Sequence, residues 1–394
     1  MMRIQIAVAS FSAVFALWGT LVEDVAKLGE RARKDVQDAR VQMNDGTAAY
    51  PPQVGLGYGC FWLRDYAYAL EGAADVIPRQ ELLAAAELFV SKLDGNGSGV
   101  DCIAYDGHPL YRPGGDTMGD NPVADGGPFT VAVAYLTWKQ TGDASLLRKD
   151  YLDRLLLTLH AVPHNRLTGL VHISPAIAYD RAPYGFTDCV RKTGDVLFCS
   201  LLDYEACGRI AEMLREAGRV DEANAEVCRS IRIKSAINRT LWDARKGLYV
   251  AATHKCRQGD IWGSAFAVSL GVADTERAKR IAAVFKANYN GLVYYGQIRH
   301  LLPGEFWEEV AGVGAEPGRY QNGGFWGVPT GWFVRTLEYV DAELAVQTVH
   351  DFVVYGSERG YPEFIIPGEN EPIARLPRYL ATSCVPYSVL RNRK

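Results

Sequence analysis

Apolar residues recur along this chain at three- and four-residue spacing through most of its length, and strict apolar–polar alternation is sparse. That periodicity predicts twelve helices, over roughly 19–42, 60–76, 79–93, 123–141, 143–160, 188–217, 219–240, 260–270, 274–288, 323–339, 341–354 and 377–392. The connections between them alternate in length. Short ones lie near 78, at 141–143, around 218, at 271–275 and near 341. Long Gly- and Pro-rich ones fill 43–59, 94–122, 161–187, 241–259, 289–322 and 355–376. The helices alternate as well. YAYALEGAADV, FTVAVAYLTW, IWGSAFAVSLGVA and GGFWGVPTGWFVRTL carry few charges, whereas RQELLAAAELFVSKL and TERAKRIAAVFKANY keep a charged face.

Helices apolar on every side go inside and amphipathic ones outside. Two concentric rings of six satisfy both alternations, so the expected fold is all-α, an (α/α)6 barrel. It is expected as one domain over 19–394, because no linker-like shift in composition interrupts the pattern. In such a ring every second connection lies at the same end, which gathers the six long loops together. Loops longer than about a dozen residues usually carry function.

Composition narrows the partners. Of 394 residues 48% are apolar and 22% charged, the balance of a globular chain with a substantial core. A net charge of −4 with no basic stripe argues against nucleic acid. The 8 Trp, 21 Tyr and 39 Gly suit a pocket that holds flat rings or sugar faces. The 8 cysteines are scattered without CxxC or ligand-like spacing, so neither a metal nor another cofactor is expected. The sequons Asn96-Gly97-Ser98 and Asn238-Arg239-Thr240 matter only in a chain that a eukaryote secretes. Oligomeric state is not legible.

Residues 1–18 read two ways. Arg3 followed by the apolar run Ile4 to Phe15 has the shape of a secretory signal peptide, and is too short for a membrane span. The same pattern runs on into LVEDVAKLGERARKDVQ, as the start of a buried first helix would. The first reading implies a secreted or periplasmic protein, the second a cytoplasmic one.

Six unusual stretches lie at or just before the starts of the inner helices. They are FWLRD (61–65), PVADGGPF (122–129), YGFTD (184–188), QGDIWG (258–263), YQNGGFWG (320–327) and PEFIIPGENEP (362–372). A helix cap needs one polar residue, not Trp-Leu-Arg-Asp. Their common register points to one cavity. Side by side, Arg64 and Asp65 can donate to and accept from vicinal hydroxyls. Trp62, Trp262 and Trp326 offer ring faces, and Gln321 and Asn322 offer amides for hydroxyls; Asp125, Asp260 and Lys192 complete the candidate contacts.

The helix alternation, FWLRD, the Gly-x-x-Asp of 185–188, NRTLWDARKGLYVA (238–251) and QNGGFWGVPTGW (321–332) resemble the six-hairpin glycosidases. That superfamily includes trehalase, processing α-glucosidase I, glucoamylase and mannosylglycerate hydrolase. The likeness runs from about residue 40 onward, although the Gly-Trp-Asp form of the trehalase acid motif is missing. The resemblance implies that Asp188 is the general acid, walled by Tyr184 and Phe186, with simple helix capping as the competing explanation. It also implies a partner carboxylate from the loop before the last helix, where Glu363, Glu369 and Glu371 compete. Glu363 has apolar neighbours, whereas the other two lie in a turn-like GENEP, so Glu363 is favoured as general base. Asp195, expected one or two turns into the sixth helix, would orient Lys192.

The expected function is an inverting, exo-acting glycoside hydrolase with a carbohydrate substrate. Two alternatives remain: a sugar epimerase using His172 and His300 as proton carriers, and a non-catalytic sugar-binding protein on the same barrel.

Overall fold

The computed structural model describes residues 2–55, 58–312 and 315–392, with side chains from residue 19 onward. The choice between leader peptide and first-helix start rests on residues 1–18, outside the residues whose side chains are described. Twelve long helices appear among the described residues. They are α1 (Met2–Ala39), α2 (Leu63–Ala73), α3 (Arg79–Ser91), α4 (Gly126–Thr141), α5 (Lys149–Ala161) and α6 (Leu197–Glu216). The second half adds α7 (Val220–Thr240), α8 (Ile261–Ser269), α9 (Thr275–Ala287), α10 (Thr330–Leu337), α11 (Ala342–Arg359) and α12 (Leu380–Arg391).

The even-numbered helices close a ring. Helix α2 packs on α4, α4 on α6, α6 on α8, α8 on α10, α10 on α12, and α12 back on α2. The odd-numbered helices lie outside, each against at least one even-numbered neighbour. Burial follows the two patterns in the sequence. Every residue from Ile261 to Val268 of α8 is buried, and α2 leaves only Glu71 outside its buried set. Outer helix α9 buries only Ala278, Ile281, Ala282 and Phe285, a single stripe at helical spacing. Close approach at one inner contact requires glycine: a Cβ on Gly72 of α2 would fall 2.6 Å from Cys384 Cα of α12.

Helix starts are set by local polar groups. Asp274 and Asp341 cap α9 and α11 through the amides of Arg277 and Leu344, and Asp260 caps α8 through Gly263. Each such cap stabilises its helix by about 1 kcal/mol. Every long connection also takes part in a short antiparallel pairing, such as Cys60–Trp62 with Cys102–Ala104, or Phe364–Ile366 with Ile373–Arg375. Among the described residues no helix is long and apolar enough to cross a membrane.

Two inner helices begin later than periodicity suggests. The sixth was expected from 188, but α6 starts at Leu197, because Gly194 has φ 86° and Gly194–Asp195 pairs with His172–Ile173. The tenth was expected from 323, but α10 starts at Thr330. The amides of Phe325 and Trp326 bond instead to Ile365 in the last long loop and to Ile298 earlier in the same connection. In both places polar and glycine-rich backbone finds partners across the barrel mouth.

Candidate active site

The FWLRD segment enters the barrel on a strand and then turns into α2, placing Arg64 and Asp65 in its first turn. Arg64 is buried and fully directed. Its Nε donates to Asp125 Oδ2 at 3.0 Å, and its Nη2 donates to Asp101 Oδ1 at 2.6 Å and Asp125 Oδ1 at 3.2 Å. Asp125 Oδ2 also accepts from the Gly185 amide at 2.8 Å. Gly185 lies flat against the guanidinium, and a Cβ there would overlap Arg64 Cζ. This close approach explains the glycine of Tyr-Gly-Phe-Thr-Asp, and it fixes the short turn that carries Asp188.

Asp188 therefore stands at the end of the turn Gly185–Thr187, nine residues ahead of α6, and not at a helix start. Helix capping does not explain it. The residue is half-buried, and its Oδ1 accepts from Gln321 Nε2 at 2.7 Å. Gln321 Oε1 accepts in turn from the Cys189 amide at 2.8 Å, so one side chain clamps both ends of the Asp188–Cys189 step. Burial pushes Asp188 up to about 6, and the Gln321 bond works against that rise.

Two more carboxyls share the neighbourhood. Glu363 is 5% exposed, and its Oε1 accepts from Tyr58 Oη at 3.1 Å. Burial pushes it to about 8; the Tyr58 bond and Arg375 oppose the rise, while the charges of Asp65 and Asp188 add to it. Asp65 Oδ1 accepts from Tyr379 Oη at 2.6 Å, and burial raises Asp65 to about 7. Glu369 and Glu371 are exposed, and Glu371 is held by Arg359. Of the three acids in that loop, Glu363 alone meets the carboxyl cluster.

Aromatic side chains wall the cluster. Phe186 lies between Trp326 and Tyr379, with centroids 6.0 Å from each, and Trp326 stacks on Phe364 at 5.3 Å. Tyr58 meets the partly exposed ring of Trp62 edge-on at 5.7 Å. Tyr320 packs on Trp326 and Phe364 from a backbone with φ 41°, a left-handed conformation that costs a bulky residue of order 1 kcal/mol or more. A cleft of about 750 Å³ opens beside Glu363, Tyr320 and Phe364.

Several expected sugar contacts have hydrogen-bond partners within the protein. Asp125 has both oxygens on Arg64 and Gly185. Asn322 accepts from the Trp307 amide and donates to Ala315, and Gln321 is spent on Asp188 and Cys189. The indoles of Trp262 and Trp326 donate to Ile298 and Tyr320 carbonyls and are buried. Lys192 is buried over the Trp307 ring, donates to Thr187, and is pushed down by burial, with Asp260 opposing. Asp195 is in a strand before α6, not inside the helix, and holds Asn165, Thr168 and His172. Amides and indoles at a loop–helix junction satisfy buried backbone groups as readily as they meet hydroxyls, and sequence does not separate the two uses. Trp62 keeps a half-buried ring, whereas Asp65 is buried with one oxygen on Tyr379.

Tyr58, Tyr320, Tyr379 and Asp101 were not singled out by sequence. Tyr58 and Tyr320 adjoin motifs that were, and adjacency was the available signal. The two histidines proposed for an epimerase sit in different surroundings. His172 bonds Asp195, while His300 stacks on Trp262 at 3.6 Å and is pushed well below its ordinary value by burial. Among the described residues no group of three His, Cys, Asp or Glu side chains could hold a metal ion. A second cavity of about 410 Å³ involves Glu71 and Glu205, but both carboxylates are paired with Arg209, at 2.9 and 2.8 Å.

The barrel with its loops gathered at one mouth can be set beside solved structures. A GH63 mannosylglycerate hydrolase from Thermus thermophilus superposes with a TM-score of 0.63 at 17% identity, over 93% of this chain and 100% of that one. The fold is the six-hairpin (α/α)6 barrel. A rhamnosidase from Klebsiella oxytoca shares the barrel at TM-score 0.64 and 15% identity, over 94% of this chain and 64% of its own. A metal-independent α-mannosidase from Streptococcus pneumoniae shares it at TM-score 0.60 and 13% identity, over 98% of each chain. No protein-family model matches the sequence, and no curated protein matches it.

Proposed function

We propose that the protein is a glycoside hydrolase that removes a terminal sugar from a small oligosaccharide or glycoside, with inversion at the anomeric carbon. The observation that carries this reading is the trio Asp65, Asp188 and Glu363, drawn from the first turn of α2 and two separate loops under one aromatic wall. Inverting cleavage needs one carboxyl that keeps its proton near neutral pH and one that has lost it. Carboxyls pushed to about 7, 6 and 8 supply both states. The barrel neighbours include enzymes named for acting on mannosylglycerate and rhamnosides, which supports the same class of chemistry.

In this reading Gln321 holds Asp188 Oδ1 and leaves Oδ2 to hand its proton to the departing glycosidic oxygen. Glu363, steadied by Tyr58, draws a proton from a water on the opposite face of the sugar. The water oxygen bonds to the anomeric carbon as the glycosidic bond breaks, and the protonated leaving group departs. Asp65 and Tyr379 face the sugar hydroxyls, and Trp62 lies against the ring.

One observation favours the reverse assignment. Burial pushes Glu363 higher than Asp188, to about 8 against about 6, so the proton shared by the pair rests mainly on Glu363. A pH–rate profile does not separate the assignments, because the two singly protonated forms have the same charge and titrate as a pair. Leaving-group acidity does separate them. A 2,4-dinitrophenyl group departs without a proton, whereas a phenyl group needs one. Asp188→Asn should lose turnover of phenyl glycosides while sparing dinitrophenyl glycosides, and Glu363→Gln should lose both. The opposite pattern exchanges the roles. A wild-type protein inactive on a full panel of α- and β-glycosides overturns the hydrolase reading and leaves a sugar-binding protein.

A further inference from the structure

The cleft beside Glu363 has a wall the reaction does not use. It is formed by the hairpin Phe364–Ile366 with Ile373–Arg375, whose second strand is exposed along its whole length. Ile373 is 53% exposed there, and Ile366 faces the same space. Two arginines complete the lining, Arg319 from the loop leading to Gln321 and Arg375 from the exposed strand. Among the described residues neither guanidinium has a hydrogen-bond or ion-pair partner, although Arg375 is near enough to Glu363 to pull its carboxyl downward.

That arrangement has a chemical meaning. The reacting end of the site is rich in carboxyls, which would repel an anion. Unpaired guanidinium groups on an otherwise apolar wall compensate for that repulsion, and their planar forks match a carboxylate or phosphate through paired hydrogen bonds. Ile366, Ile373 and Phe364 offer nothing to a hydroxyl-rich second sugar, but they suit an apolar body. We infer that the leaving group of the natural substrate is an apolar organic acid, with its carboxylate or phosphate held between Arg319 and Arg375. The inference rests on the glycoside hydrolase reading, and it concerns only the departing half of the substrate.

It can be tested without knowing the sugar. Binding of 4-hydroxybenzoate and of 4-hydroxyphenyl phosphate is compared with binding of neutral 4-hydroxybenzamide by calorimetry, well below the value of about 8 to which burial pushes Glu363. The wild-type protein should bind one or both anions about tenfold more tightly than the amide, and the preference should shrink as salt rises. Carboxylate and phosphate probes tell the two sources of charge apart. Arg319→Gln and Arg375→Gln should each reduce the preference, and the double variant should abolish it. Because both side chains are exposed, these variants should fold. Equal binding of anion and amide, or a preference that survives the double variant, overturns the inference while leaving the hydrolase reading untouched. In the kinetic arm, 4-carboxyphenyl glycosides should be cleaved with higher kcat/KM than their 4-carbamoylphenyl counterparts. Arginine variants that depress both series equally would mean that the arginines serve the sugar, which also overturns it. Anion binding with no glycoside turned over would instead sink the hydrolase reading.

Discussion

Glu363→Gln offers a quantitative test of how the site is built, because it removes a charge and keeps the shape. Folding moves Glu363 from 4.5 to about 8, chiefly through burial. A carboxyl harder to ionise when folded than when unfolded favours the fold at low pH. That advantage is lost as pH climbs from about 4.5 to about 8. At about 1.4 kcal/mol per unit, the shift taken whole costs the folded protein about 1 kcal/mol at pH 5, about 3 at pH 7 and about 5 at pH 9. Asp65 and Asp188 supply part of the push, so these figures are ceilings. Glutamine never ionises, and its side-chain oxygen can still accept from Tyr58. The variant should therefore be inactive yet more stable than wild type, by a margin that widens by up to about 4 kcal/mol between pH 5 and pH 9. Urea unfolding of both proteins across that range reads the margin directly. A margin that stays flat with pH would show that Glu363 ionises freely in the folded protein, and the account of the site would fail with it.

Two other substitutions probe the frame. Gly185→Ala places a methyl group where Arg64 Cζ now lies, and should cost about 3–5 kcal/mol of stability in urea unfolding by unpairing Arg64 from Asp125 and Asp101. Gln321→Leu removes the donor to Asp188 and the acceptor for the Cys189 amide. The acid limb of the pH–rate profile, set near 6, should move to higher pH because the lost bond had favoured ionisation, and kcat should fall about tenfold. An unmoved limb would show that the amide does not tune Asp188.

The sequence made the barrel legible because two independent alternations, of loop length and of helix polarity, agree on the same ring. Helix boundaries at the mouth were less legible. Apolar periodicity across 188–196 and 323–329 looks helical until residues 172 and 298, earlier in the same connections, and 365, in another, pair with that backbone. Asp188 was singled out through the resemblance and Glu363 by its apolar neighbours, and the structure brings both into one carboxyl cluster. Asp125, Gln321, Asn322, Trp262 and Trp326 were legible as candidate contacts, but their partners within the protein were not. Whether an amide faces a ligand or a buried main-chain group depends on tertiary contacts that local spacing does not encode. Tyr58 and Tyr379 escaped notice for the same reason. A tyrosine becomes the partner of a buried carboxyl only after chain segments some 300 residues apart have met.

The central claim is that water attacks the sugar directly, with the acid and the base on opposite sides of it. Inverting enzymes hold their carboxyls about 6.5–9.5 Å apart to admit that water, whereas retaining enzymes hold theirs about 5–5.5 Å apart and form a covalent intermediate. Asp188 comes from the loop before α6 and Glu363 from the loop before α12, helices on opposite sides of the inner ring. The decisive measurement is a proton NMR time course on a cleaved glycoside of known configuration, recorded before mutarotation scrambles the product. The account predicts that the first sugar to appear carries the inverted anomeric configuration, and a first product with retained configuration would contradict it.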